Sequence, residues 1–277
     1  MLFYYLNGRF LIPEDCKISI LDRGFKFGDA IFETISFENN KFLLLDEHLL
    51  RLKNGLLELE IHYDIDNLQS ILRKLLAKNT INKGAVRITI SRGENSLGYL
   101  PESLNKANIA IEIRASTIIN YSPKDIIISS YIKPNFKHYP THLKTAQGLN
   151  STLAIIEAQK LGFFDCLLLN DDNYIAESSS ANILFVKSNI LLTPSISSAI
   201  LPGIIRNYIL KNTMLTSKEC NMSLTDLIGS EYAFLTNSNY KIMPVANIYN
   251  QNNEILFSSK DDISKVKIEE LIGLDFT

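Results

Sequence analysis

Cysteine is scarce in this chain: Cys16, Cys166 and Cys220 are the only three in 277 residues, and no two stand at a paired spacing. Such a set supports neither a disulfide framework nor a tetrahedral zinc site. No run of about 18 consecutive apolar residues occurs, which excludes an ordinary membrane-spanning helix. Charge of one sign is lacking too: 28 Lys and Arg against 30 Asp and Glu leave a net charge of −2. That balance offers no basic field to nucleic acid. The glycine-rich nucleotide patterns G-x-G-x-x-G and G-x-x-x-x-G-K are missing. The opening M-L-F-Y-Y-L-N-G-R has no basic leader and reads as a first strand and turn, not a signal peptide. The absences leave a soluble cytoplasmic protein as the expectation.

What is present is a core-forming composition, 46% hydrophobic and 21% charged. The length suits two ordinary domains. Phe3–Leu6 and Phe10–Ile12 flank an Asn-Gly turn and predict a hairpin, as do Ile31–Phe37 and Phe42–Leu45 around E-N-N-K. Leu49, Leu52, Leu56 and Leu59, then Leu68, Ile71, Leu72, Leu75 and Leu76, fall at helical spacing and predict two amphipathic helices. Strands are expected at Ala85–Ser91, Ile109–Arg114, Ile126–Tyr131, Cys166–Leu169, Ile183–Val186, Ile190–Leu192 and Tyr232–Thr236. Further helices are expected at Ser151–Leu161, after Pro202-Gly203, and at Ile263–Ile272. The polar stretch around Pro123 reads as a linker, giving domains at 1–117 and 124–277 joined by 118–123. Strands mixed with helices make the class α/β or α+β.

Four signals in the second half could carry chemistry. Lys144 stands among uncharged neighbours ahead of a helix. A free lysine, with a pKa of about 10.4, is protonated and unreactive; burial or a nearby cation activates it for Schiff-base work. Glu177 ends the strand Y-I-A-E before three serines, and a carboxylate so placed can hold a pyridine nitrogen protonated. Pro202-Gly203-Ile204-Ile205 opens a helix whose first amides lack internal partners and favour a phosphate. Ser238 can add a hydroxyl and Arg51 a charged fork. Taken singly, each has an ordinary reading: a solvated lysine, a strand-ending glutamate, a common helix entry, a surface arginine. His138 and His142, separated by Pro140, are read as non-metal.

Together with Y-L-N-G-R-F, L-D-R-G-F-K-F-G-D-A-I-F-E-T-I and D-E-H-L-L-R-L, these signals span nearly the whole chain in one order. In that order and spacing the chain resembles the class IV, fold-type IV, pyridoxal phosphate enzymes. The resemblance implies a smaller N-terminal α/β domain, a larger barrel-like C-terminal α/β domain, pyridoxal 5'-phosphate as cofactor, and a homodimer acting on a small amino substrate. By the same resemblance Lys144 is the Schiff-base lysine and proton shuttle, and Glu177 the partner of the pyridine nitrogen. Arg51, the amides of Ile204 and Ile205, and Ser238 form the phosphate cup; Ser180, Ala181 and Asn182 line the ring.

Within the family, Leu97 and Tyr99 stand where D-amino acid aminotransferases carry an R-x-H pair, and F-K-F-G-D-A-I-F-E-T differs from the branched-chain pattern. The nearest resemblance is to 4-amino-4-deoxychorismate lyase, which forms 4-aminobenzoate and pyruvate in folate biosynthesis. The alternatives are an aminotransferase for branched-chain or D-amino acids and, more remotely, a non-catalytic phosphate-binding member. Gln147 and Gly148 after the lysine, and Ile205 in the phosphate loop, depart from the family pattern. Phe25, Phe27, Tyr99 and Tyr240 are expected near the pocket.

Overall fold

The computed structural model describes residues 1–94, 98–101, 106–134, 137 and 139–260. Contacts divide the chain into two compact units: Met1–Ile118 joined by Leu143–Gln147, and Ile119–His142 joined by the chain from Gly148 onward.

In the first unit, β1 (Tyr4–Leu6), β2 (Arg9–Leu11), α1 (Arg23–Phe27), β3 (Ala30–Glu38), β4 (Lys41–Phe42), α2 (Leu45–Glu58), α3 (Leu68–Lys78), β5 (Lys83–Ser91) and β6 (Asn108–Ala115) follow in order. The sheet runs β2-β1-β6-β5-β3-β4. Period-two alternation sends Ile31, Glu33, Ile35 and Phe37 of β3 to the buried face and leaves Phe32, Thr34 and Ser36 partly exposed on the other. Leu52 and Leu56 of α2 and Leu68, Leu72, Leu75 and Leu76 of α3 join Ile35, Val86, Ile88 and Ile111 in one core. Each such side chain contributes about 1.5–3 kcal/mol on burial. A Cβ at Gly55 would lie 1.9 Å from Cδ1 of Ile31, so α2 meets β3 where a side chain is missing. The stretch L-D-R-G-F-K-F-G-D is a clasp. Asp22 caps α1 through the amides of Gly24 and Phe25, Ser91 and Asn108 donate to its other oxygen, and Gly28 ends the helix at φ 66°. Arg23 and Arg92 both grip Asp29. Burial raises the Asp29 pKa, but these two arginines outweigh it and hold the carboxyl below its ordinary range.

The second unit contains β7 (Lys124–Lys133), α4 (Leu149–Lys160), β8 (Asp165–Asn170), β9 (Ile175–Ser178), β10 (Asn182–Lys187), β11 (Ile190–Pro194), α5 (Ile204–Asn212), β12 (Thr216–Cys220), β13 (Tyr232–Asn237), β14 (Lys241–Tyr249) and β15 (Ile255–Ser258). Its mixed sheet runs β12-β11-β10-β13-β14-β7-β8-β9, with β15 on β14. Ala154 and Ala158 of α4 pack on Ile127, Cys166 and Leu168, and the core proper gathers Ile183, Phe185, Leu235 and Val245.

The α/β class expected from the sequence is the one observed. The strand expected at Phe42–Leu45 stops at Phe42, because Leu44 turns to φ 50° and α2 starts at Leu45. The helix expected at Ile263–Ile272 lies outside the described residues.

Candidate active site

Lys144 is carried by the segment that returns to the first unit. The Phe32 amide donates to the Lys144 carbonyl at 3.0 Å and the Ala146 amide to the Ala30 carbonyl at 2.9 Å, so Leu143–Gln147 lies strand-like along the start of β3. The partly buried Lys144 places Nζ 4.5 Å from the centre of the Phe32 ring. The Arg87 guanidinium lies 3.7 Å from the same ring centre. Thr34 pairs with Arg87 across β3 and β5, which puts Phe32 and Arg87 on one face of the sheet. Nε of Arg87 is 3.7 Å from Glu112, beyond hydrogen-bond length; the Arg87 side chain is half-buried and Glu112 is exposed.

On the opposite, buried face Glu33 is 1% exposed yet ionised. Arg51 donates Nε to Oε1 at 2.7 Å and Nη2 to Oε2 at 2.8 Å, and His48 Nδ1 lies 2.7 Å from Oε2. Residues 48 and 51 sit one turn apart on α2, so both address the same carboxylate. Burial pushes the Glu33 pKa up, but the Arg51 charge and the hydrogen bonds from Arg51 and His48 prevail and bring it to about 2. Arg51, expected in a phosphate cup, is thus itself held from behind.

In the second unit Glu177 lies in β9, 8% exposed. Its Oε2 accepts from Asn182 Nδ2 at 2.9 Å and from the Leu201 amide at 3.0 Å, while Oε1 is ion-paired with Lys133. The same Asn182 amide donates to the Leu201 carbonyl at 2.8 Å. Ser178 Oγ accepts from the Ala181 amide at 2.9 Å, folding Ser178–Asn182 into a tight turn. Gly203 touches Asn182: a Cβ there would be 1.9 Å from Asn182 Oδ1. It precedes α5, where no side chain caps the amides and Ile204 and Ile205 are buried. Asn237 donates to the Ser180 carbonyl at 3.3 Å, which brings the β13–β14 turn carrying Ser238 against the Ser180 loop. The unit therefore gathers Glu177, Ser180, Ala181, Asn182, Ile204 and Ile205, with Ser238 on the adjoining turn. A fixed buried carboxylate beside an uncapped helix start suits a group with a basic ring nitrogen and a phosphate.

Leu97 and His138 lie outside the described residues. Phe25 is 75% and Tyr99 84% exposed, and the ring of Tyr99 is 5.3 Å from that of Phe27. Tyr240 is buried and burial raises its hydroxyl well above the ordinary value. Among the described residues no cluster of three metal-binding side chains is found. Sequence reasoning missed Glu33, His48, Arg87 and Lys133. Glu33 carried a signal, a charge among the apolar residues of the buried face of β3, and His48 lies within the quoted D-E-H-L-L-R-L; Arg87, on the polar side of an alternating strand, and Lys133 carried none.

The chain belongs to the amino-transferase class IV family, whose model matches residues 30–248. It is similar to the aminodeoxychorismate lyase of Bacillus subtilis, 28% identical over 260 residues covering 90% of this chain and 87% of that one. It is also similar to the D-alanine aminotransferase of Listeria innocua serovar 6a, 27% identical over 252 residues, 88% of this chain and 86% of that one. A branched-chain amino acid aminotransferase from T.th., solved with pyridoxamine 5'-phosphate, shares the fold at a TM-score of 0.84 and 23% identity, over 98% of this chain and 94% of that one.

Proposed function

We propose that this chain is a pyridoxal 5'-phosphate enzyme that converts 4-amino-4-deoxychorismate to 4-aminobenzoate and pyruvate. The observation that carries the cofactor reading is Glu177, a buried carboxylate whose Oε2 is fixed by Asn182 and the Leu201 amide. In this reading Glu177 keeps a proton on the ring nitrogen. The amides of Ile204 and Ile205, with Ser238 and Arg51, bind the phosphate, and Ser180, Ala181 and Asn182 line the ring. When bound, the cofactor supplies an electron sink for a substrate carbanion.

Lys144 is the catalytic residue: it holds the cofactor between turnovers and, once free, takes the proton from the substrate carbon at Nζ. Loss of that proton lets the enolpyruvyl carbon–oxygen bond break, the ring becomes aromatic, and a proton returned to the departing group gives pyruvate. Arg87, on the same ring as the Lys144 amine, serves as a cation for a substrate carboxylate. It supports an anionic substrate, although Leu97 stands where the D-amino acid aminotransferases carry an arginine. The similarity to a lyase supports the choice of reaction. Likeness to D-alanine and branched-chain aminotransferases supports a second reading, amino transfer on the same machinery, in which Lys144 would again take and return a proton at Nζ.

Purified protein mixed with the cofactor should show a visible band that borohydride removes, leaving the cofactor fixed on Lys144 in a peptide map. A colourless wild type sinks the cofactor reading. Pyruvate release from aminodeoxychorismate decides the reaction; no pyruvate, with amino transfer from glutamate to a branched keto acid, replaces the lyase with an aminotransferase.

A further inference from the structure

In the buried ion cluster behind β3, Arg51 has a role in the chemistry above, while Glu33 and His48 have none. We propose that Glu33, braced by His48, is a positioning residue that fixes the Arg51 guanidinium for the phosphate of the cofactor. This rests on the reading of Arg51 as a phosphate ligand. Three observations support it. Glu33 is the one ionised side chain among Ile31, Ile35 and Phe37 on the core face of β3, a costly place for a charge unless a partner is being held there. The carboxylate takes Arg51 by Nε and Nη2 at 2.7 and 2.8 Å, a fork that fixes the rotation of the guanidinium plane. His48, 0% exposed, closes the carboxylate from the second side at 2.7 Å, so Glu33 cannot swing away.

The fork also changes what Arg51 offers. A flexible arginine on a helix surface would lose several rotamers on gripping a phosphate, whereas one already oriented loses few. Glu33 touches no substrate in this scheme; it acts through Arg51 alone. A shared dependence follows: what Glu33 contributes to cofactor binding should exist only for ligands that carry the phosphate.

The test compares the affinities of the full-length protein for pyridoxal 5'-phosphate and for pyridoxal, which lacks the phosphate, by absorbance titration, with thermal melting to check folding. Glu33→Gln keeps the shape but turns a donor toward Arg51. Glu33→Asp keeps the charge and shortens the reach by one methylene, and serves if Glu33→Gln does not fold. The expected result is a roughly tenfold loss for the phosphorylated ligand, with pyridoxal affinity unchanged within about twofold. In Arg51→Ala, the same replacement of Glu33 should then have no further effect. Equal losses for both ligands, or no loss for either, overturn the positioning role. A phosphate preference that falls in Arg51→Ala but not in the Glu33 variants overturns this proposal alone. A preference untouched in Arg51→Ala overturns both it and the assignment of Arg51.

Discussion

Replacing Gly203 by alanine measures how firmly the Glu177 carboxylate is held. The backbone at Gly203 has φ −66° and ψ 136°, open to any residue, so no strain arises there. The new Cβ would fall 1.9 Å from Asn182 Oδ1. Carbon and oxygen not bonded to each other cannot stay that close, so the Asn182 amide must turn or withdraw. That amide makes two bonds, 2.9 Å to Glu177 and 2.8 Å to the Leu201 carbonyl. The first, to a carboxylate, is worth about 1.5–3 kcal/mol and the second about 0.5–1.5 kcal/mol. With about half a kcal/mol for alanine at a helix N-cap, Gly203→Ala should cost about 2.5–5 kcal/mol. Urea unfolding followed by tyrosine fluorescence reads the loss, since the chain has 12 tyrosines and no tryptophan. The cost should pass through Asn182. In an Asn182→Ala background the same replacement should cost no more than the cap, about half a kcal/mol. A loss below that value in the wild-type background, or an equal loss in both, refutes the reasoning.

Two further outcomes are expected. Glu33 is held at about 2 against an ordinary 4.5; a folded value below the unfolded one stabilises the protein fully above the unfolded pKa. About 3 kcal/mol should therefore be lost as the pH falls from about 4.5 toward 2, and Glu33→Gln should flatten that part of the acid-unfolding curve; an unchanged slope counts against the ion cluster. Cys166 is 0% exposed, and burial with Asp165 beside it pushes its thiol far up, so maleimide labelling of the native protein should reach Cys16 and Cys220 and spare Cys166 until denaturant is added. Mass spectra showing early modification of Cys166 contradict this.

The helices α2 and α3 were legible because leucines at three- and four-residue spacing have one reading in water. By contrast, α1 was not, since its five residues are held by Asp22 at one end and Gly28 at the other rather than by any apolar stripe. The strand β12, T-S-K-E-C, is exposed over most of its length and has no alternation to read. The candidate site divides the same way. Lys144, Glu177 and Gly203 stand out by their motifs. Arg87 reaches Phe32 only through the register that sets Thr34 against Arg87, and Lys133 reaches Glu177 only through the folding of β7 and β9 into one unit. Pairing between distant strands is the information a single linear pattern lacks.

The return of Leu143–Gln147 to the first unit has a bearing on how the molecule is made and on how it can be cut. During synthesis the first sheet is complete in its own strands by Ala115, yet the stretch that lines the start of β3 emerges some thirty residues later. A first unit truncated at Ile118 would keep Glu33, His48 and Arg51 but leave the amide of Phe32 and the carbonyl of Ala30 without the backbone of Lys144 and Ala146. The fragment beginning at Ile119 would own the lysine without the strand that supports it. Separated at that point, the halves would have to find each other by strand addition before the amine regained its place beside Phe32.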